Sequence, residues 1–467
     1  MAQEHLDRLT GLDASFLHQE GPESHMHIGA LTLFDGPPPR FDDLLALIDS
    51  RLHLVPRYRQ RLAHTPLDRG RPVWVDDGSF RLEYHLRHVA LPAPADREQL
   101  LSLLSRIFST QLDRRRPLWE LWFIEGLDDG GFALLFKTHH AVIDGIAGLD
   151  LATVIFDMET QDETESDAPP DWTPASHPGM LGLIALGAVR DARDSAKLLG
   201  SALTAGAHPH KAVQALRDAA EGVGELVRAA LSPAPETPLN VPIGPYRRFA
   251  TVNARLEDFR AIKNAFGGTV NDVVLAVVAG ALRSFLASRD VRTDGLELRA
   301  LVPVSLRGAA DGPGVIGNRL AAMRGSLPVG IADPRERLEA VRVSMEGIKE
   351  SRQALGAEVL AGVQNFAPPT ILAQASRINF STRLFNLIVT NMPGPQIPLF
   401  VLGHQIREVY PIAFLAHDHA LAVAIMSYNG QLNFGLLADS QALPELDELA
   451  GWLSQAIEEL LALARAA

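Results

Sequence analysis

The sequence predicts a mixed α/β protein built from two similar domains. Its 467 residues exceed the size at which a single hydrophobic core usually stops growing. Strand-like and helix-like apolar spacings alternate in both halves. An acidic, proline-rich stretch at 159–178 and a proline cluster at 233–245 separate the halves. We therefore expect an N-terminal domain over residues 1–160, a helical linker over 161–236 and a C-terminal domain over 237–467.

Apolar spacing in the first half predicts three strands and three helices. The strands cover residues 26–34, 119–125 and 131–137, and a turn at Asp128-Asp129-Gly130 joins the last two. The helices cover residues 41–54, 97–111 and 145–156. Residues 132–136 are all apolar, which is typical of a strand covered on both faces.

The second half repeats this alternation. We predict strands over 251–256, 297–305 and 387–391, helices over 256–266 and 270–289, and a final helix from Leu446. Thr269 or Asn271 opens the helix over 270–289, and Asp333-Pro334 is a good helix start. Asn429-Gly430 predicts a hairpin between residues 421–428 and 432–437. The alanine-rich stretch 180–231 is expected to be a linker helix, or alternatively a mobile or membrane-facing apolar cover.

Composition excludes several classes of protein. Because the chain has no cysteine, it has no disulfides, thiolate metal sites or cysteine nucleophile. A net charge of -13 argues against a general nucleic-acid binder. The N-terminus shows no signal-peptide pattern, and the longest apolar run, 273–282, is too short to span a bilayer. We expect a protein that is soluble or peripheral to a membrane.

Two histidines follow the apolar strand directly, in the stretch His139-His140-Ala141-Val142-Ile143-Asp144-Gly145. Histidine, with an ordinary pKa of about 6.5, can accept a proton at neutral pH. Asp144 could hold the shape of the loop or pair with a cation, and Gly145 lets the backbone turn tightly into the next helix. Taken alone, the same residues could be a packed histidine pair with a helix-capping aspartate.

This pattern resembles the signature of the coenzyme A-dependent acyltransferase superfamily, which includes chloramphenicol acetyltransferase and peptide-synthetase condensation domains. Further stretches narrow the resemblance. In chain order they are Leu12-Asp13-Ala14-Ser15-Phe16-Leu17, Arg116-Pro117-Leu118-Trp119-Glu120, Thr237-Pro238-Leu239-Asn240, Ile243-Gly244-Pro245-Tyr246-Arg247-Arg248, Thr269-Val270-Asn271-Asp272, Val302-Pro303-Val304-Ser305-Leu306-Arg307, Gly317-Asn318 and Thr390-Asn391-Met392-Pro393-Gly394-Pro395. From Leu12 to about Asp439, the chain is similar to the bacterial wax ester synthase/diacylglycerol acyltransferase family.

The resemblance implies two chloramphenicol-acetyltransferase-like domains, each a mixed sheet with helices, with an active-site tunnel between them. It implies transfer of an acyl group from long-chain acyl-CoA, which is a substrate and not a cofactor, to diacylglycerol or a fatty alcohol. His140 matches the general base, and His139 and Asp144 match supporting positions. The sequence has no Gly-x-Ser-x-Gly nucleophile elbow. A one-step transfer without an acyl-enzyme is therefore expected.

For each of the other candidate residues, both a functional and a structural interpretation stay open. Asn271 could donate to the oxyanion or cap a helix. Arg307 could pair with Asp144 or be an ordinary surface arginine. Trp119 could contact substrate but is more typical of core packing. Three further arginines could meet the phosphates of coenzyme A or lie on a solvated face; they are Arg114, Arg115 and Arg116. The same alternatives apply to Arg247 and Arg248.

Four histidines raise the question of a metal site. Alternation would place His25 and His27 on one strand face, and likewise His417 and His419. Zinc usually takes three or four converging ligands, and nothing in the sequence makes the pairs converge. We therefore expect no metal.

The substrates suggest where the protein works. We expect a cytoplasmic protein associated peripherally with a membrane or with lipid droplets. Two other functions stay open from the sequence. One is a non-catalytic lipid-binding protein of the same fold, and the other is an acyltransferase acting on polyketide or peptide intermediates.

Overall fold

A computed structural model describes residues 7–64, 71–142, 155–158, 172–175, 233–305, 320–350 and 381–467. The first half contains the strands β1 (His27–Phe34), β2 (Gln60–Ala63), β3 (Val73–Asp76), β4 (Leu86–Ala90), β5 (Trp119–Glu125) and β6 (Phe132–His139). The second half contains β7 (Arg247–Arg255), β8 (Leu298–Ser305), β9 (Leu320–Leu327), β10 (Leu387–Pro393), β11 (Phe400–Val401), β12 (His404–Ile412), β13 (Leu421–Tyr428) and β14 (Gln431–Asp439).

Helices cover and flank these strands. In the first half they are α1 (Gly11–Gln19), α2 (Phe41–Arg51), α3 (Leu82–His85) and α4 (Arg97–Phe108). In the second half they are α5 (Leu256–Phe266), α6 (Val270–Ser288), α7 (Pro334–Glu350) and α8 (Leu446–Ala466). The predicted helix over 145–156 and the alanine-rich stretch 180–231 fall mostly or wholly outside the described residues. Their structure therefore stays a prediction.

The described strands form two six-stranded sheets and one two-stranded ribbon. The first sheet has the order β11-β12-β1-β6-β5-β4, and the second has the order β7-β14-β13-β10-β8-β9. β2 and β3 form the ribbon. Each large sheet mixes parallel and antiparallel neighbours: β4 runs parallel to β5, and β10 runs parallel to both β8 and β13. The prediction of two mixed sheets is confirmed. The first sheet takes most of its strands from the first half of the chain, and all strands of the second sheet come from the second half.

The first sheet is completed by strands from the second half of the chain. β12 pairs antiparallel with β1, with Gly29 opposite Ile412. Without this pairing, β1 would present a row of open backbone donors and acceptors at a sheet edge. Residues 400–412, assigned by sequence position to the second domain, therefore belong to the first sheet. The outer limits of the domains remain a prediction.

The two sheets touch where β12 crosses β14. A Cβ atom at Gly435 in β14 would lie only 2.0 Å from the carbonyl oxygen of Pro411 in β12. Glycine is therefore required there because the two backbones approach too closely for any side chain.

α6 is the central helix of the second half. Every residue from Asp272 to Leu282 is buried, so the helix is covered on all sides, by α5, α7, α8 and the sheet. Its start is a capping box: the side chain of Thr269 accepts from the amide of Asp272, and the Asp272 carboxylate accepts from the amide of Thr269. Of the two predicted openings of this helix, Thr269 is confirmed and Asn271 is wrong.

Several local predictions are confirmed closely. The strand over 119–125 and the helix over 256–266 have the predicted bounds. At the predicted hairpin turn, Asn429 and Gly430 have φ angles of 44° and 79°, as a two-residue turn of the right twist needs. The strand predicted over 251–256 instead begins at Arg247, because its whole length pairs with β14.

Candidate active site

The site is built at the end of the central strand of the first sheet. β6 lies between β1 and β5, and its last residues, Lys137, Thr138 and His139, are fully buried. His140 follows as the first residue of a 3-10 turn, His140–Val142. Its amide donates to the carbonyl of Met26, at 2.9 Å, just before β1. The backbone that carries His140 is therefore held from the neighbouring strand.

The His140 ring is held between two phenylalanines. Phe16 of α1 stacks on it with ring centroids 4.0 Å apart, and Phe414, after β12, meets it edge-on at 5.5 Å. Nδ1 is buried and has no hydrogen-bond partner among the described residues. Burial, with a smaller effect from the neighbouring His139, lowers the pKa of His140 to about 4. The imidazole is therefore neutral at physiological pH and free to accept a proton.

His139 has a different environment. It is fully buried, and its Nδ1 accepts the amide hydrogen of Ala141 at 3.0 Å. Its Nε2 lies 3.6 Å from a carboxylate oxygen of Glu20. Because Nδ1 is an acceptor, the ring proton of neutral His139 must be on Nε2, which faces that carboxylate. His139 thus supports the turn and does not face the same surroundings as His140.

Three of the predicted site residues fall outside the described part of the chain: Asp144, Gly145 and Arg307. Their roles, including an Asp144–Arg307 pair, stay predictions.

Asn271 lies at the second position of α6, so it does not cap the helix. Its side-chain oxygen accepts a hydrogen bond at 3.2 Å from the side-chain amide of Asn391, in β10. This contact leaves the NH2 group of Asn271 as the group available to donate elsewhere. Phe16 and Phe414, which hold His140, belong to the same continuous apolar core as Val273 and Val274 of α6.

Trp119 supports the core of the first sheet. It is 1% exposed, its indole N–H donates to the carbonyl of Tyr58 at 2.8 Å, and it stacks on His85 at 4.7 Å. The interpretation as core packing therefore agrees with its position, and no surface is left for a substrate.

The predicted arginine candidates already have partners within the protein. Arg247 is buried and donates to the carbonyls of Gly244, Tyr246 and Glu23, with Asp439 3.8 Å away. Arg248 pairs with Asp447. Arg114 binds Glu20, and Arg115 and Arg116 both approach Asp113. Contact of any of these arginines with coenzyme A would have to compete with these pairs.

Among the described residues, no group of three or more histidine, aspartate or glutamate side chains is placed to hold a metal ion. His25 lies before β1, with its ring nitrogens facing the carbonyls of Pro22 and Phe108. His417 and His419 lie in the loop between β12 and β13. The prediction that each pair shares a strand face is therefore wrong: β1 begins at His27, which leaves His25 outside the strand, and neither His417 nor His419 lies in a strand. The rings of His25 and His27 are nevertheless neighbours, with centroids 5.5 Å apart.

Four residues of the site were not identified from the sequence as parts of it: Phe16, Glu20, Asn391 and Phe414. Phe16 and Asn391 stand within the stretches that carried the family resemblance, which is the signal that could have found them. Glu20 and Phe414 stand in no such stretch, and only the tertiary structure brings them to the histidines.

The described residues form two mixed six-stranded sheets that meet at a close crossing, and solved proteins share this architecture. Solved structures with the same fold include the first condensation domain of the CDA synthetase, which shares 17% identity and has a TM-score of 0.60 over 99% of this chain and 97% of that one. The predicted two-domain, chloramphenicol-acetyltransferase-like fold is confirmed.

Closer comparisons identify the family. A family model of the wax ester synthase/diacylglycerol acyltransferase catalytic domain matches residues 9–274, and the corresponding C-terminal domain matches residues 316–461. The wax ester synthase/diacylglycerol acyltransferase from Marinobacter aquaeolei VT8 is 30% identical, with a TM-score of 0.68 over 98% of this chain and all of that one. A probable diacylglycerol O-acyltransferase of Mycobacterium tuberculosis is 33% identical over 98% of this chain and 97% of the relative. The chain belongs to the wax ester synthase/diacylglycerol acyltransferase family and is an acyltransferase.

Among the described residues, one helix is long and apolar enough to cross a membrane, namely α6. Of its most apolar window, 72% is buried inside the protein, as is common for the core helix of a globular domain.

Proposed function

We propose that this acyltransferase moves a long-chain acyl group from coenzyme A to the hydroxyl of diacylglycerol or of a long-chain fatty alcohol, with His140 as general base. The observation that carries the proposal is the environment of His140. A neutral imidazole, with its Nδ1 buried and its ring held by Phe16 and Phe414, can present only Nε2 to a substrate.

The reaction is a single displacement at the thioester. Nε2 of His140 takes the hydroxyl proton as the alcohol oxygen bonds to the thioester carbonyl carbon. The carbonyl oxygen becomes an oxyanion, and the carbon–sulfur bond then breaks. The leaving thiolate of coenzyme A takes the proton back from His140, so the enzyme is regenerated with no acyl-enzyme and no cofactor.

The low pKa of His140 suits this sequence of events. In the free enzyme, its apolar surroundings disfavour the imidazolium and keep the base unprotonated. When the oxyanion forms, it places a negative charge close to the ring and raises its affinity for a proton at that moment. Asn271, held by Asn391, has an NH2 group that could donate to this oxyanion.

The relatives support the proposed substrates. One solved relative is named a wax ester synthase/diacylglycerol acyltransferase and the mycobacterial relatives are named diacylglycerol O-acyltransferases. Both alcohols offer one hydroxyl next to long apolar chains. Because such alcohols partition into lipid, we propose that the enzyme works in the cytoplasm, in peripheral contact with a membrane or with lipid droplets.

The test mixes the purified protein with radiolabelled palmitoyl-CoA and either dioleoylglycerol or hexadecanol, and separates the lipids by thin-layer chromatography. We expect labelled triacylglycerol, wax ester or both. Palmitoyl-CoA bound without any product would indicate a lipid-binding protein. Product formed only from a polyketide or peptidyl thiol acceptor would indicate the other branch of the superfamily.

The base assignment is tested by His140→Ala, for which we expect a loss of turnover of about 10²–10⁴-fold with the fold retained. The matched control is His417→Ala, since the His417 side chain is 71% exposed and pairs with Asp418, whereas the described aromatic contacts of His140 are with Phe16 and Phe414. A folded His140→Ala enzyme with more than about a third of the normal rate would contradict the assignment, because loss of a general base alone is larger than this.

A further inference from the structure

A buried carboxylate lies directly behind the histidine pair. The side chain of Glu20 is 3% exposed. One carboxylate oxygen lies 3.6 Å from Nε2 of His27, and the other lies 3.6 Å from Nε2 of His139. Arg114 also donates to it, through Nε at 2.6 Å and through a terminal nitrogen. Both imidazoles are 1% exposed, so the carboxylate is enclosed by these three side chains.

An ionised carboxylate is costly to bury unless it is well paired, and Arg114 provides a close cationic partner here. Burial alone would raise the pKa of Glu20, but the nearby imidazoles of His139 and His27, each 3.6 Å away, and the charge of Arg114 together hold the pKa well below its ordinary value. Glu20 is therefore an anion at neutral pH.

The carboxylate is linked through the ring of His139 to the backbone amide of Ala141, directly after His140. Ala141 donates its amide hydrogen to Nδ1 of His139, which requires the ring proton to be on Nε2, facing Glu20. If the proton moved to Nδ1, that hydrogen bond would be lost and the amide of Ala141 would face another donor. The anion at Glu20 favours the tautomer that accepts from Ala141.

Glu20 is also linked to the ring of His140. It is the C-terminal cap of α1, and its amide donates to the carbonyl of Phe16 at 3.1 Å. Phe16 is the residue that stacks on His140. Glu20 thus contacts both elements that position His140. It caps the helix that carries Phe16, and its carboxylate faces His139.

We propose that Glu20 is a positioning residue for the acyl transfer: its buried carboxylate orients His139 and, through the amide of Ala141, the turn that presents His140. The inference rests on the proposed role of His140 as base. Glu20 does not touch the substrate in this arrangement. Its removal should lower turnover and leave the binding of acyl-CoA nearly unchanged.

The first experiment uses Glu20→Gln, which keeps the size of the side chain and removes its charge. We expect kcat to fall about 10–100-fold, the same range as when a group that orients a metal-bound histidine is altered. The KM for palmitoyl-CoA should change less than about threefold. Glu20→Asp keeps the charge on a shorter side chain and should retain more turnover than Glu20→Gln. The matched control is Glu257→Gln, because the Glu257 side chain is 75% exposed and its described ion pair is with a surface arginine, Arg255.

The second experiment determines the tautomer of His139 directly in the unaltered enzyme. Protein with ¹⁵N-labelled histidine is studied by long-range ¹H–¹⁵N correlation NMR, and the His139 signals are assigned by their loss in His139→Asn. We expect His139 to be neutral with its proton on Nε2. In folded Glu20→Gln, the signals should move toward a mixture of the two tautomers.

The outcomes separate this inference from the proposed function. A proton on Nδ1 of His139 in the unaltered enzyme would overturn the inference even if Glu20→Gln did not fold. Unchanged kcat in folded Glu20→Gln, or a raised KM with kcat unchanged, would overturn it as well. If His140→Ala kept its activity, the proposed function would fail, while the NMR experiment would still decide whether Glu20 sets the tautomer of His139.

Discussion

The pH dependence of turnover measures the pKa of His140 in the folded enzyme. His140 must be neutral to accept a proton, and its pKa is lowered from 6.5 to about 4, chiefly by burial. The acid limb of kcat/KM, which reports the free enzyme, should therefore lie near pH 4 and not near pH 6.5. We expect almost full activity at pH 5.

The size of the effect follows from the two pKa values. With a pKa of about 4, roughly nine-tenths of His140 is neutral at pH 5. With the ordinary value of 6.5, only about 3% would be neutral at that pH. The ratio of activity at pH 5 to activity at pH 8 should thus be close to one, about 30-fold higher than for a solvated histidine.

The assay measures kcat/KM from pH 4 to pH 9 with a soluble medium-chain alcohol in detergent. The acyl donor is an N-acetylcysteamine thioester, because the phosphate groups of coenzyme A titrate near pH 6 and would add a limb of their own. Circular dichroism at each pH confirms that the protein is folded. An acid limb with its midpoint near pH 6.5 would refute the reasoning, since it would mean that His140 is as well solvated as a free imidazole.

Two further predictions concern stability. Gly435→Ala should lower the melting temperature by several degrees, because its Cβ would lie 2.0 Å from the carbonyl oxygen of Pro411, whereas Gly451→Ala, in α8 with nothing within 4 Å, should leave it unchanged or raise it slightly. Equal melting temperatures for the two variants would contradict the close crossing of the two sheets. The free energy of unfolding should also fall as the pH drops from 6.5 toward 4. Burial lowers the folded-state pKa of both His85 and His140 to about 4. In this pH window the unfolded chain therefore binds protons that the folded protein does not, which favours unfolding. Urea denaturation at pH 7 and pH 5 measures this, and equal free energies of unfolding at the two values would contradict it.

Local elements were predictable because their causes are local. The capping box at Thr269 involves residues three apart, and the turn at Asn429-Gly430 depends on two residues that tolerate positive φ. The histidine pair was recognisable because a short motif follows an apolar strand. For each of these features, the residues that decide the structure are neighbours in the chain.

Contacts between distant segments were not predictable in this way. Nothing in residues 404–412 shows that this strand pairs with β1 and not within its own half, because strand patterning does not specify a partner. Phe414 lies far from His140 in sequence, yet it meets the ring edge-on. The position of Asn391 beside Asn271 depends on how β10 packs beside the start of α6.

The sequence alone therefore determined the family of the protein, its elements and the identity of the histidine pair, since these depend on residue types at short spacing. Only the tertiary structure decided how the pair is used. The same two imidazoles would be alike in a solvated loop. Here His140 lies between two aromatic rings with a pKa of about 4, and His139 faces a buried carboxylate that arrives from α1. Their protonation depends on burial and on charges brought from distant parts of the chain, and sequence spacing does not specify these.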